Sequence, residues 1–175
     1  MWYAIRMPTG LDQAPRRADV KSISFKVLGV PTPKGSSRAM MRGGNAVNVP
    51  SGSNANRDAL QSWGNAVRCA AAEAVQAVHG REPGVFFSEV PLRIMVVFRM
   101  RRLKSHFNKK TGQVRPDAPK WHTVKPDFDK LLRSTMDNLT GIVVLDDSNF
   151  AESLSRKVYA DPGKEGAWIS IEELT

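Results

Sequence analysis

The sequence predicts an α+β fold on three observations. Two segments, 56–78 and 127–139, repeat apolar residues at helical spacing. Runs at 23–30, 90–100, 150–160 and 167–174 concentrate or alternate apolar residues as strands do. No internal repeat or linker divides the chain, and 175 residues suffice for one core without disulfides or structural metal. Residues 1–21 read as an N-terminal extension, with Pro8, Gly10, Pro15, Arg16 and Arg17 scattered without period, ahead of a domain at 22–175.

ISFKVLGV (23–30) alternates as a first strand should. PTPKGSSRAMMRGGN (31–45) follows as a loop of hairpin character that ends in AVNV. Lys34, Ser36, Ser37 and Arg38, on a backbone loosened by Gly35, suit a phosphate-wrapping loop or an ordinary solvated turn, and both readings stand. Residues 56–78 then place Leu60, Trp63, Val67, Ala70, Ala71, Ala74 and Val78 on one face ahead of Gly80, which describes a core helix. Trp63 and Cys69 read as packing residues there, because a lone thiol with no histidine nearby is a poor nucleophile.

VPLRIMVVFRM (90–100) is a strand, and a loop-like stretch runs from it to Lys125. Between Arg99 and Lys125 nine Lys or Arg accompany one acid, Asp117. Such a run is often solvated or disordered. In DFDKLLRSTMDNL, the residues Phe128, Leu131, Leu132, Thr135, Met136 and Leu139 recur at helical spacing, with Asp127 near the N-cap and Gly141 as the stop. IVVL (142–145) reads as a short buried strand running into Asp146-Asp147-Ser148, and two more strands close the chain.

Lys and Arg number 26 against 17 Asp and Glu, a formal charge of +9 with a pI near 10.1, so a polyanion is the expected partner and nucleic acid leads. A single cysteine excludes a disulfide framework and a Cys-rich zinc site, and it suits a reducing cytoplasm. No apolar run approaches the roughly 18 residues of a membrane span, and the N-terminus has no signal-like apolar core. A chain neither secreted nor membrane-spanning is expected.

Against that basic background the acids of KPDFDK (125–130) stand out. Asp129, Arg133 and Asp137 fall at i, i+4 and i+8, a polar stripe that solvent-facing ion pairs alone would explain. Asp127 alone is an ordinary N-cap, and Asp146-Asp147 alone a polar turn. Together they imply more. A thirteen-residue helix rises about 20 Å, and four strand residues plus a turn return roughly 17 Å, so Asp147 is expected to meet Asp127 and Asp129. Two unpaired carboxylates 4 Å apart repel by about 4 kcal/mol at an effective dielectric of 20. A hard divalent cation, Mg²⁺ with Mn²⁺ as substitute, resolves the conflict with oxygen ligands. In a DNA-binding protein this means phosphodiester hydrolysis, the metal activating water and stabilising the leaving oxygen, and Arg133 holding or neutralising the phosphate.

WHTVKPDFDKLLRSTMDNLTGIVVLDDS resembles the signature of RusA-type Holliday junction resolvases, common in phages and prophages. It combines a KPD-x-D opening, a helix ending in D-x-L-x-G, and a D-D-S turn, preceded by KSHF and APKWHT. Weaker similarity covers the P-x-P-K-G-S-x-R loop at 31–38 and the R-K-x-Y of Arg156, Lys157 and Tyr159. The resemblance implies a small two-layer α+β protein, a mixed sheet packed on helices, that acts as a homodimer. It would bind four-way DNA junctions and nick two opposing strands with Mg²⁺. By position, the family's metal-binding aspartates correspond to Asp127, Asp129 and Asp147, and a catalytic family lysine to Arg133, which keeps the charge but is no proton donor. Lys130 stands where the family has asparagine. Asp146 and Asp137 support the ligands, and Lys130 would take over the asparagine's contact.

Lys34, Arg38, Arg99, Arg101, Arg102 and Lys104 are expected to contact DNA, as are Lys120, Trp121, Lys125, Arg156 and Lys157. His122 joins them as a DNA contact or a structural hydrogen bond ahead of a general base, since a metal-activated water needs no protein base. The alternative function is a non-catalytic basic protein that binds junctions or single strands. A restriction-type nuclease, echoed in PDFDK, fits less well, because that motif places its D/E-x-K on a strand well downstream of the first Asp.

Overall fold

The computed structural model describes residues 21–35, 37–50, 54–79 and 85–174; the expected extension at 1–21, apart from Lys21, together with Ser36 and Gly80, lies outside them. A four-stranded sheet takes the order β1 (Ser22–Leu28), β6 (Gly166–Glu173), β4 (Leu92–Met100), β5 (Phe150–Tyr159). β1 and β4 run antiparallel to β6, and β5 runs parallel to β4, so the sheet is mixed. Two helices, α1 (Asn54–His79) and α2 (Phe128–Asp137), complete an α+β architecture. β2 (Ser37–Arg42) and β3 (Asn45–Pro50) pair as a separate hairpin. Its two-residue turn is Gly43-Gly44, both at positive φ, the twist that matches hairpin strands.

Strand periodicity fixes the core. Every second residue of β4, from Leu92 through Ile94, Val96 and Phe98 to Met100, is buried, as are Ile23, Phe25 and Val27 of β1. Each large side chain hidden in this way contributes roughly 1.5–3 kcal/mol. α1 packs on β1 with Trp63, Val67, Ala71 and Val75, four residues apart. Val78, expected on this face, is 63% exposed, because a 26-residue helix of about 39 Å outruns a seven-residue strand of about 23 Å. Cys69, expected to pack, is exposed. On the opposite sheet face Arg93 bridges Glu152 at 2.7 Å and Glu172 at 2.6 Å, linking β4 to both neighbours.

The expected strand at 142–145 does not form. The chain winds instead around the Leu139 carbonyl, which accepts from the amides of Ile142, Val143 and Val144, while Gly141 N donates to Val144 O at 2.7 Å. Val143 and Val144 are fully buried, and Phe87 N donates to Val143 O. A four-residue apolar run is ambiguous between a strand and a core plug, and here burial is achieved by the plug. The basic stretch after Met100 is folded as well. Phe107 and Val114 bridge across a small hairpin, and Asn108 Oδ1 accepts from the amides of Lys110 and Thr111.

α1 and α2 meet at Gly64. A Cβ there would lie 2.7 Å from Asn138 Oδ1. Asn138 has little room to retreat, since its amide donates to Ser134 O at 2.6 Å and its oxygen accepts from Arg68. Gly64→Ala is expected to lower unfolding free energy by roughly 1–3 kcal/mol through overpacking, read as a reduced midpoint in urea with unchanged slope. An unchanged midpoint would show that the two helices separate freely.

Candidate functional site

Asp127 is the N-cap of α2, yet its side chain makes no capping hydrogen bond. The carboxylate turns instead to Lys130, Nζ to Oδ2 2.9 Å. Hydrogen bonding to Lys130 and its charge, with Lys125 and Lys157 further off, hold the Asp127 carboxyl below the usual carboxylate range. Lys130 is raised in turn, first by Asp127 and more weakly by Asp129. The Lys130 ammonium thus answers the exposed Asp127 carboxylate from one turn along the helix. Phe128 anchors this first turn by meeting Phe98 edge-on at 6.4 Å. Asp137, at the far end of the stripe, is bound to Lys34 at 2.5 Å, and Lys34 N donates to Lys130 O. Arg133 is exposed and forms no ion pair among the described residues.

Asp146 and Asp147 behave differently from each other. Asp146 caps the short 3₁₀ turn Asp147–Asn149, accepting from Ser148 N at 2.8 Å. Its carboxyl is held low, chiefly by Ser148 and with help from Asp147. Asp147 is exposed. Among the described residues no group of three His, Cys, Asp or Glu side chains that could hold one metal ion is found. The extended return expected of 142–145 is replaced by the plug, which holds Val143 and Val144 in the core.

The basic residues divide into free and engaged groups. Arg101, Lys104, Lys120 and Lys125 are exposed, and Trp121, half-exposed, carries Lys120 Nζ 5.7 Å from its ring centre. Arg101, Arg102 and Lys104 line a cleft of about 390 Å³ with Phe107 and the 162–165 turn, which lies some sixty residues further along the chain. Arg102 donates to Pro119 O at 3.0 Å and lies over Tyr159. Arg99 and Arg156 are partly buried, and the side chain of Arg38 lies outside what is described.

Of the residues read from the sequence as DNA contacts, Lys157 is partly buried and His122 is buried. Lys157 sits on β5 opposite Phe98, the α2 side of the sheet, whereas neighbouring Arg156 pairs with Val97 on the other side. Its ammonium donates to Pro126 O at 2.7 Å and Val124 O at 3.0 Å, tying down the segment that delivers Asp127. Main-chain bonds reinforce the tie, His122 N to Lys157 O and Tyr159 N to Lys120 O, so residues 120–122 cover the exposed edge of β5. His122 is buried with Nδ1 lacking a partner in the structure, its ring 4.8 Å from Tyr159; buried His106 meets the same tyrosine edge-on at 4.5 Å. Burial first, then the charge of Lys157, pushes His122 below its ordinary value of 6.5.

A mixed sheet, a basic arm and exposed aspartates at the start of an amphipathic helix suit a protein that acts on nucleic acid. The family model for endodeoxyribonuclease RusA matches residues 29–172, and the chain belongs to that family. Its members are endodeoxyribonucleases that resolve Holliday junctions, and so this chain is an enzyme of that type. No curated protein matches the chain. Among the described residues no helix is long and apolar enough to cross a membrane.

Two outcomes follow from the placement of His122 and Lys157. The unfolded chain binds a proton at His122 more readily than the folded one, so this contribution to stability is complete above about pH 6.5 and is lost as pH falls through the lower folded value. Between about pH 7.5 and 5.5 the Tm should fall more steeply in the wild type than in His122→Phe, and parallel curves would count against the assignment. Lys157→Met should speed amide exchange across residues 120–131 while leaving the salt dependence of DNA binding unchanged. A slope reduced by about one unit would make Lys157 a phosphate contact instead.

Proposed function

We propose that the protein is a Mg²⁺-dependent, structure-selective endodeoxyribonuclease. As a homodimer it resolves four-way junctions by paired nicking during recombination and repair. The observation that carries this reading is the Asp127 carboxylate, released from the capping role its position invites and turned to the Lys130 ammonium. Lys130 stands in for an ion there. The donor set fits a hard cation, since Asp127, Asp129 and Asp147 offer exposed carboxylate oxygens, and they are the residues that would hold Mg²⁺ or Mn²⁺. When bound, the ion supplies nucleophile activation and charge stabilisation at the scissile phosphate.

The chain's own residues do the rest. Arg101, Lys104, Lys120 and Lys125 bring the phosphate backbone onto a surface that is otherwise short of acid. Trp121 offers a face for a base opened at the branch point. Arg133, one turn beyond Asp129 and without an ion pair among the described residues, places a fixed positive charge toward the developing charge on phosphorus oxygens. Lys157, through Pro126 and Val124, keeps Asp127 oriented.

The deciding experiment incubates the protein with labelled four-way junction or linear duplex, with and without Mg²⁺. Nicks in the junction that need the metal, with little cutting of the duplex, are expected. Asp129→Asn should reduce nicking by at least about 100-fold while junction binding survives. Cleavage at the wild-type rate by this variant would remove the metal assignment, and binding with no product under Mg²⁺ or Mn²⁺ would leave a non-catalytic junction-binding protein.

A further inference from the structure

We propose that the cleft beyond the end of β4 is a subsite for one unpaired guanine nucleotide of the DNA, with Phe107 stacking on the base and Glu165 selecting it. This deepens the nuclease reading above and rests on it for the source of the nucleotide.

The cleft lies just past the point where Ala160 N donates to Met100 O and ties the ends of β5 and β4 together. Its volume, about 390 Å³, falls within the roughly 300–1,000 Å³ of small-molecule sites. Both walls are fixed by the chain itself. On one, Arg102 donates to Pro119 O at 3.0 Å, and Phe107 donates its amide to Lys104 O at 3.2 Å and bridges Val114. On the other, Lys164 N donates to Asp161 O at 3.0 Å, and Glu165 O accepts from Gly29 N at 3.2 Å. The position suits a strand held at Asp127. Phe128, the next residue, packs on Phe98, and Arg101 follows Phe98 by three residues. That span is about 10 Å, or about three base steps.

The lining divides into three chemistries. Arg101 and Lys104 are exposed and form no ion pair among the described residues, so they are available to a phosphate. Phe107, partly buried and held at its backbone, offers a ring for a base to stack on. Glu165 is the telling residue. It is half-buried and lines the same cleft as two guanidiniums and an ammonium, yet it forms no ion pair among the described residues. In a site for phosphate alone such a carboxylate only repels the ligand. It favours binding when the ligand turns N–H groups toward it, as a charge-assisted pair. Guanine does so best, because its N1–H and N2–H₂ stand side by side and match two carboxylate oxygens. Those donors are free only when the base is unpaired, the condition in which nucleic-acid bases are read on that edge.

Amide NMR of the full chain, without divalent metal, tests the site as dGMP, dAMP, dTMP or inorganic phosphate is added. Shifts at the Phe107, Gly163 and Glu165 amides are expected, with dGMP at least about tenfold tighter than dAMP or dTMP, and inorganic phosphate weakest. Glu165→Gln should bring dGMP down to the level of dAMP. Phe107→Leu, which keeps the apolar bulk, should weaken all three nucleotides at least about fivefold and leave inorganic phosphate unchanged. Spectra unchanged away from the cleft verify that each variant folds. Equal binding of dGMP and dAMP by the wild type would overturn the role of Glu165. Equal binding of dGMP and inorganic phosphate would reduce the cleft to a backbone contact, and no shift at these amides with millimolar nucleotide would remove the subsite. Binding here needs neither metal nor cleavage, so protein that takes dGMP but leaves junctions uncut would refute the nuclease reading alone.

Discussion

The parallel pairing of β4 with β5 is the constraint on which the rest of the molecule depends. Antiparallel neighbours can be joined by a two-residue turn, but parallel ones need a crossover that carries the chain back to where the first strand began. Here β4 ends at Met100 and β5 begins at Phe150, so residues 101–149 form that crossover. The basic arm, the edge cover at 120–122, α2 and the Asp146-Asp147 turn all lie in it. The chemistry of the protein is therefore carried on a topological necessity, and the sheet beneath supplies the rigid frame.

That frame explains how acid and base coexist in so small a space. The Asp127 turn is fixed from two directions, by Phe128 on Phe98 and by the Lys157 ammonium on two carbonyls. With position settled by packing, the carboxylate need not cap the helix to stay in place, and it is left to a cation. Lys130 currently meets that demand from the next helical turn. Exposed pairs of this kind are weak and exchange readily, so a lysine at this position is compatible with displacement by a divalent ion.

The fold class and most elements were legible in the sequence because they follow from period. The two-residue alternation of β4 and the four-residue spacing of Trp63, Val67 and Ala71 are local signals of burial. The family resemblance was legible because its motif occupies a contiguous stretch around Asp127. The segment 142–145 was misread because four apolar residues satisfy a strand and a plug equally, and only hydrogen bonding to the Leu139 carbonyl separates them. Arg156 and Lys157 look alike in a list of basic residues. The pleat sends them to opposite faces, and that assignment depends on register against β4.

By itself the sequence determined the residue types of the candidate site, the basic charge that suits a DNA partner and the family to which the chain is similar, since composition and contiguous motifs need no long-range contacts. Tertiary structure alone decided which cations remain free, with Lys34 bound to Asp137 and Lys157 to main-chain carbonyls. It also decided that residues 142–145 fold as a buried plug and not as a strand. Distances between residues twenty positions apart depend on the path of the chain between them, and that path is set by what the core buries.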